Sequence, residues 1–318
     1  MSDTQQQAIA DEVLSAIESG KLELPTLPDV ALKIRELIDD PNVSADQLVN
    51  LLSADPVISA HIIKAANSAA GGMRVDTLRA AIARLGYRML RNLVISVTVN
   101  NLFKASSPVI DQYLKRMWEH SRMVAATSFV LALKQRHLKP EQAMLAGMVH
   151  NLGALPLCLY ADRFHPRLEQ DALEELIRRF STRVGVALLN NWHFPQEIIN
   201  VVAGYENLQR SNASGTADYT DVVTIANLQI PGKAKFVAWQ NVSAITRIGC
   251  EPGQCTRFIE DHAEQLDIAR EMLGLPKSQP QATEHREQQM PPQQPQDTQQ
   301  TVSRQKPGML GGFFNLFR

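Results

Sequence analysis

The sequence predicts an all-α fold: a compact multi-helix bundle followed by a disordered C-terminal tail. Three observations carry this expectation. Apolar residues recur at helical spacing along most of the chain. Alternating apolar and polar runs flanked by turn residues, the mark of strands, are scarce. Helix-start chemistry, a short polar side chain ahead of an apolar run, recurs at close intervals.

In chain order, the first helical segments begin near Thr26, Ser44, Asp55 and Asp76. Ser44 with Gln47 has the pattern of a capping box, in which each side chain satisfies the other's free backbone N–H. Asp55 followed by Pro56 sets a hydrogen-bond acceptor beside a residue whose φ already suits the first turn. Leu78, Ala81, Ile82 and Leu85 form one apolar face, with Asp76 as the expected cap and Gly86 as the expected stop. Ser106, Ser107 and Pro108 mark a break. A second helical set follows, including a helix begun by Trp192, His193 and Pro195, and it closes at Gly274 and Pro276. Residues 1–106 therefore read as an N-terminal helical lead and first subdomain, and residues 107–275 as a second helical subdomain. Residues 276–307 hold ten Gln and six Pro with little apolar material to bury, the composition of a disordered linker. In residues 308–318, Leu310, Phe313, Phe314 and Phe317 would share one face of a helix, a short docking motif for a partner's groove.

Bulk composition narrows the functional class. Lys and Arg total 32 against 33 Asp and Glu, a formal charge of −1, which removes the case for a nucleic-acid binder. Hydrophobic residues at 44% are enough for a packed core. The cysteines, Cys158, Cys250 and Cys255, are too few and too poorly spaced for a disulfide framework or a four-ligand zinc site, and read as reduced thiols. No basic segment followed by an apolar run opens the chain, so a secretory signal is not expected. The uncharged stretch from Ala143 to Ala161 is interrupted by His150, Asn151, Gly153 and Pro156. It reads as a buried helix and its exit loop rather than a transmembrane span, and a cytoplasmic protein is the expectation.

The stretch LPTLPDVALKIRELIDDPNVSADQLVNLLSADPVISAHIIKAANSAA, with Pro25, Pro28, Asp55, Pro56, Asn67 and Ser68, and the run LGYRMLRN from Leu85 to Asn92 resemble the N-terminal part of the HDOD family, the HD-related output domain of bacterial signalling proteins. Downstream, WEHS around His120, AGMVHNLG around His150 and VGVALLNNW ending at Trp192 resemble its HD-derived half, so the resemblance spans roughly residues 22–230. It implies an all-helical regulatory module, related to metal-dependent HD phosphohydrolases but generally lacking their catalysis.

The resemblance also implies a site. HD phosphohydrolases hold their metal with a His, a His-Asp pair and a last Asp. Carried over, these positions fall on His120, on His150 and Asn151, and on Asn227. Both carboxylates have become amides, which can coordinate weakly but bring no negative charge, so no bound catalytic metal, no cofactor and no catalysis are expected. Tyr205 and Glu206 stand where the family often has paired histidines. Glu206 is the better substitute carboxylate, because Glu119 is turned by about 100° from its neighbour His120. Two readings of the set remain: a buried polar cluster whose members satisfy one another, or an inherited pocket reused to sense a ligand.

Other chemistry is sparse. Between Arg74 and Lys104 lie five Arg and one Lys but a single acid, Asp76. Within it, Arg84, Arg88 and Arg91 can form an anion-binding or partner face, or a solvated face paired with acids such as Asp46 and Asp55. Cys158, in an apolar run, should be inert, and no glycine-rich phosphate loop occurs. The expectation is a non-catalytic signalling scaffold that binds protein partners. The alternatives are a residual metal-dependent phosphohydrolase and a sensor of a phosphorylated nucleotide second messenger.

Overall fold

The computed structural model describes residues 2–19, 33–34, 36–38, 40, 42–69, 74–100, 103–165, 168–229 and 234–277. The expected start near Thr26 with Pro25 and Pro28, the linker from residue 278 onward, and Leu310, Phe313, Phe314 and Phe317 lie outside the described residues. No strand occurs among the described residues.

Helix α1 (Asp3–Glu18) leads into α2 (Ala45–Ser53) and α3 (Pro56–Ala69). The capping box of α2 forms as its residues demand: Gln47 N donates to Ser44 Oγ at 3.2 Å, and Ser44 N donates to Gln47 Oε1 at 2.8 Å. Asp55 Oδ1 accepts from Ile58 N at 3.1 Å at the head of α3. Near its end, Asn67 Nδ2 donates to Val75 O at 2.7 Å while Asn67 Oδ1 accepts from Val75 N at 2.8 Å. One amide thus clamps the chain that leads into α4 (Leu78–Asn100).

The start of α4 corrects the expected cap. Ala80 N donates to Thr77 Oγ1 at 3.3 Å, because Thr77 and not Asp76 immediately precedes the first helical residue. Gly86 does interrupt the run, with φ 75° and ψ 159°, but a second helical stretch continues directly beyond it.

Helix α5 (Pro108–Ala132) is the central element. Ser107 and Pro108 open it, and the Asp162 carboxylate accepts from the backbone N–H groups of Ser106 and Ser107, both at 2.7 Å. Its buried face includes Leu114, Met117, Trp118, Ser121, Val124 and Ala125. Against it lie α6 (Pro140–Val149), α7 (Ala154–Phe164) and α10 (Tyr219–Leu228). Between them in sequence come α8 (Gln170–Asn191) and α9 (Gln196–Gly204). Trp192 closes α8 rather than opening the next helix, and Pro195 caps α9, which corrects the expected start. Short helices α11 (Ala244–Ile248), α12 (Pro252–Thr256), α13 (Phe258–Asp261) and α14 (Ala263–Met272) complete the unit. Arg122 Nη1 donates to the carbonyls of Leu273 and Gly274, fixing the end of α14 to α5.

Residues 1–278 form one compact unit, and its apolar core runs unbroken from Ile9 in α1 to Leu273. The stretch Pro140–Phe164 is apolar enough to cross a membrane by length and composition, yet 83% of its most hydrophobic window is buried inside this unit. The turn at His150–Gly153 separates it into α6 and α7.

Candidate functional site

Backbone contacts set the spacing of the site before any polar group does. A Cβ at Gly147 would stand 2.8 Å from Ala125 Cα, so glycine is what lets α6 lie this close to α5. Three residues on, the turn carrying His150 and Asn151 passes against α8. A Cβ at Gly153 would overlap the Ser181 carbonyl and come within 2.7 Å of Gly185 Cα. These approaches bring His150 to His120 of α5, with ring centroids 5.4 Å apart in an edge-on arrangement.

Hydrogen bonds then join the set in two pairs. His120 Nε2 lies 2.8 Å from Asn227 Oδ1. An amide oxygen only accepts, so this nitrogen carries the proton. Ser121 Oγ donates to Asn151 Oδ1 at 2.7 Å. His150 Nδ1 lies 2.7 Å from Gly147 O, so by the same reasoning Nδ1 carries its proton. Burial, and secondly the neighbouring His120, push the His150 imidazole down to about 3, leaving it neutral at pH 7. Tyr205 meets the His150 ring edge-on at 4.8 Å. Burial raises the Tyr205 hydroxyl above its usual value, with Glu206 adding to the effect, and the hydroxyl donates to Glu206 Oε1 at 3.0 Å.

His120, His150, Asn151, Tyr205 and Asn227 therefore converge, drawn from α5, the α6–α7 turn, the end of α9 and α10. Glu206 reaches them through the Tyr205 hydroxyl, and its own side chain is exposed, as is that of Glu119. Among the described residues no group of three or more His, Cys, Asp or Glu side chains stands where it could hold a metal ion. Behind His120 lies a cavity of about 40 Å³, walled by Met123, Val124, Thr127, Gln229 and Arg270 among others.

Of the two readings of the basic segment, intramolecular partners are what the structure shows for two of its arginines. The break at Gly86 divides Arg84 from Arg88 and Arg91. Arg84 Nη1 donates to Ala66 O at 3.4 Å, and Arg88 pairs with Glu141 at 2.9 Å. Asp46 is the partner of Arg79 instead. Arg91 is half-buried.

One feature escaped the sequence reading. Asp221, 1% exposed, is gripped by Arg247 and Arg210, with nearest contacts of 2.6 and 2.8 Å. Its three members lie far apart in sequence, and no local pattern marks them.

Comparison with known proteins places the fold. The HDOD domain matches residues 24–208. An uncharacterized protein from Treponema pallidum (strain Nichols) is 28% identical over 224 residues, 64% of this chain, and the chain spans 41% of that relative's length. A solved structure described as a candidate metal-dependent phosphohydrolase, from Shewanella amazonensis SB2B, superposes with a TM-score of 0.69 at 23% identity, covering 85% of this chain and 99% of that one. An HDOD domain protein of unknown function from Geobacter sulfurreducens gives 0.61 at 20% identity over 85% and 99%. A candidate signal transduction protein from Marinobacter aquaeolei VT8 gives 0.56 at 18% identity over 85% and 66%. At these identities the structural likenesses speak for the helical fold.

Proposed function

Because the chain belongs to the HDOD family, we propose that it is a non-catalytic module of signal transduction, one that works by binding protein partners and not by turnover. The observation that carries this reading is the hydrogen bond from His120 to Asn227, at the two outer positions of an HD-type ligand set. The His120 Nε2 lone pair is occupied by a proton, and the oxygen facing it is a neutral amide. A divalent ion placed there would meet no anionic donor, while the His120–Asn227 and Ser121–Asn151 bonds would have to break. The residues present do not fit a catalytic metal, and no reaction step is assigned to one.

The same polar network suits a rigid binding scaffold. His120 and Asn227 satisfy one another, Ser121 holds Asn151 and the Gly147 carbonyl holds His150, and such hydrogen-bonded side chains favour a single arrangement. The fold likeness to a candidate signal transduction protein supports the signalling context.

The test is elemental analysis of the purified full chain after dialysis, together with assays of nucleotide and cyclic dinucleotide hydrolysis in added manganese, zinc or magnesium. Metal well below stoichiometric and no hydrolysis are expected. Retained stoichiometric metal with hydrolysis that His120→Ala abolishes would overturn the reading.

A further inference from the structure

We propose that the cavity behind His120 binds a small carboxylate that carries a hydroxyl or amino group beside its carboxyl, a ligand of the 2-hydroxy acid or amino acid class. The cavity is not the inherited ligand set's own pocket. His120 belongs to its walls, whereas His150, Asn151, Tyr205 and Asn227 do not. Its space of about 40 Å³ takes roughly three water-sized groups, which matches the smallest members of this class and falls far short of a nucleotide.

Two buried polar atoms on residues of its walls define the chemistry. Gln229 caps the end of α10 and is 3% exposed. Its Nε2 donates to the Cys255 carbonyl at 2.8 Å, and a carbonyl only accepts, so the amide is held with Oε1 at the other end. Among the described residues nothing donates to Gln229 Oε1, and nothing accepts from Arg270 Nε on α14. The two atoms are complementary, yet they do not bond each other, so they stand apart. Buried donors and acceptors are costly to leave unmet. A ligand that answers both must offer an acceptor to the guanidinium, best an anionic one, and a donor to the amide oxygen.

Other polar protons here are engaged. Thr127 Oγ1 donates to the Met123 carbonyl at 3.0 Å, and His120 Nε2 is held by Asn227. Met123, Val124, Ile259 and Leu266 supply apolar wall, which leaves room for a hydrogen or a methyl on the ligand and little more. Because α5, α10 and α14 all contribute, a bound carboxylate would tie α14 to the two helices that carry the His120–Asn227 bond. Such a ligand is a chemical input to a module that has no turnover of its own.

The experiment adds glycolate to the full chain, with EDTA present, and follows isotope-labelled methionine methyl resonances. The Met123 methyl should shift and saturate, while Met144 and Met148, buried in α6 and absent from the cavity walls, should stay in place. Acetate keeps the carboxylate and lacks the neighbouring donor, so it should bind on the order of tenfold more weakly. Arg270→Gln should abolish saturation, with unmoved Met144 and Met148 resonances reporting that the variant is folded. A Met123 response to glycolate that does not saturate in the unsubstituted chain, or equal affinity for acetate, would overturn the proposal with no reliance on any variant. Neither metal nor hydrolysis enters these readouts, so a failure here is distinct from a failure of the non-catalytic reading.

Discussion

His120 and Asn227 are 107 residues apart in sequence and 2.8 Å apart through Nε2 and Oδ1. By the proposed reading, this bond joins the residues that stand at the first His and last Asp of an HD-type ligand set. Restoring charge should restore the ion. The double variant Asn151→Asp, Asn227→Asp is expected to retain a divalent transition metal through dialysis, since two anionic oxygens then stand beside the two imidazoles. Inductively coupled plasma analysis reads this directly, and a metal content equal to that of the unsubstituted chain would show that charge is not what the site lacks.

A second expectation concerns Asp221. Burial works to raise its carboxyl, but Arg247 and Arg210 outweigh that and hold it below the usual carboxylate range. Asp221→Ala leaves two guanidinium groups without their shared partner, in a place where each is mostly covered. The loss should be about 3–5 kcal/mol in urea denaturation. A change within 1 kcal/mol, roughly the level of an exposed pair, would mean that solvent reaches the cluster.

Stability should fall on mild acidification, and His150 is the main cause. Its folded value of about 3 lies below the ordinary 6.5, so across that interval the unfolded chain binds more protons than the folded one. The unfolding free energy then decreases as pH drops below 6.5, by up to about 1.4 kcal/mol per pH unit from this one group. His61, lowered first by burial and then by Lys64, acts in the same direction. Urea titrations at pH 7, 6 and 5 should show a shallower dependence in His150→Gln. Equal slopes in the two proteins would mean that His150 is protonated in the folded state.

Several of these elements could be read from residue order alone. The Ser44–Gln47 box and the Asp55–Pro56 start depend on neighbours within one turn, and both formed as their chemistry requires; the break read at Ser106, Ser107 and Pro108 is where α5 begins. Thr77 was missed by one position because Asp76 and Thr77 are both competent caps, and only the first helical residue decides between them. The convergence of His120, His150, Asn151 and Asn227 was visible only through family likeness. Nothing local announces that Ser121 rather than His150 would hold Asn151. Arg210, Asp221 and Arg247 lacked even that guide.

Gly153→Ala should be costly, because the added methyl would push against the Ser181 carbonyl and Gly185, both of them backbone. A loss of about 1–3 kcal/mol is expected, read as a lower melting temperature together with broadened His150 resonances. Gly253→Ala, where nothing lies within 4 Å, provides the comparison and should be near neutral.

For residues 308–318, deletion of Gly308 to Arg318 should leave the melting temperature of the helical unit unchanged while weakening capture of one partner from cell extract. Burying one Phe contributes roughly 1.5–3 kcal/mol, so three lost together should be measurable. Identical capture by the full and shortened chains would remove the docking role.

The near-contact of Gly153 with Gly185, and of Gly147 with Ala125, makes main chain the ruler that spaces the two imidazoles. Side chains at 151 and 227 can therefore be exchanged without the frame losing its gauge. Main chain holds the spacing and side chains hold the polar chemistry, so the two can be varied separately in this molecule.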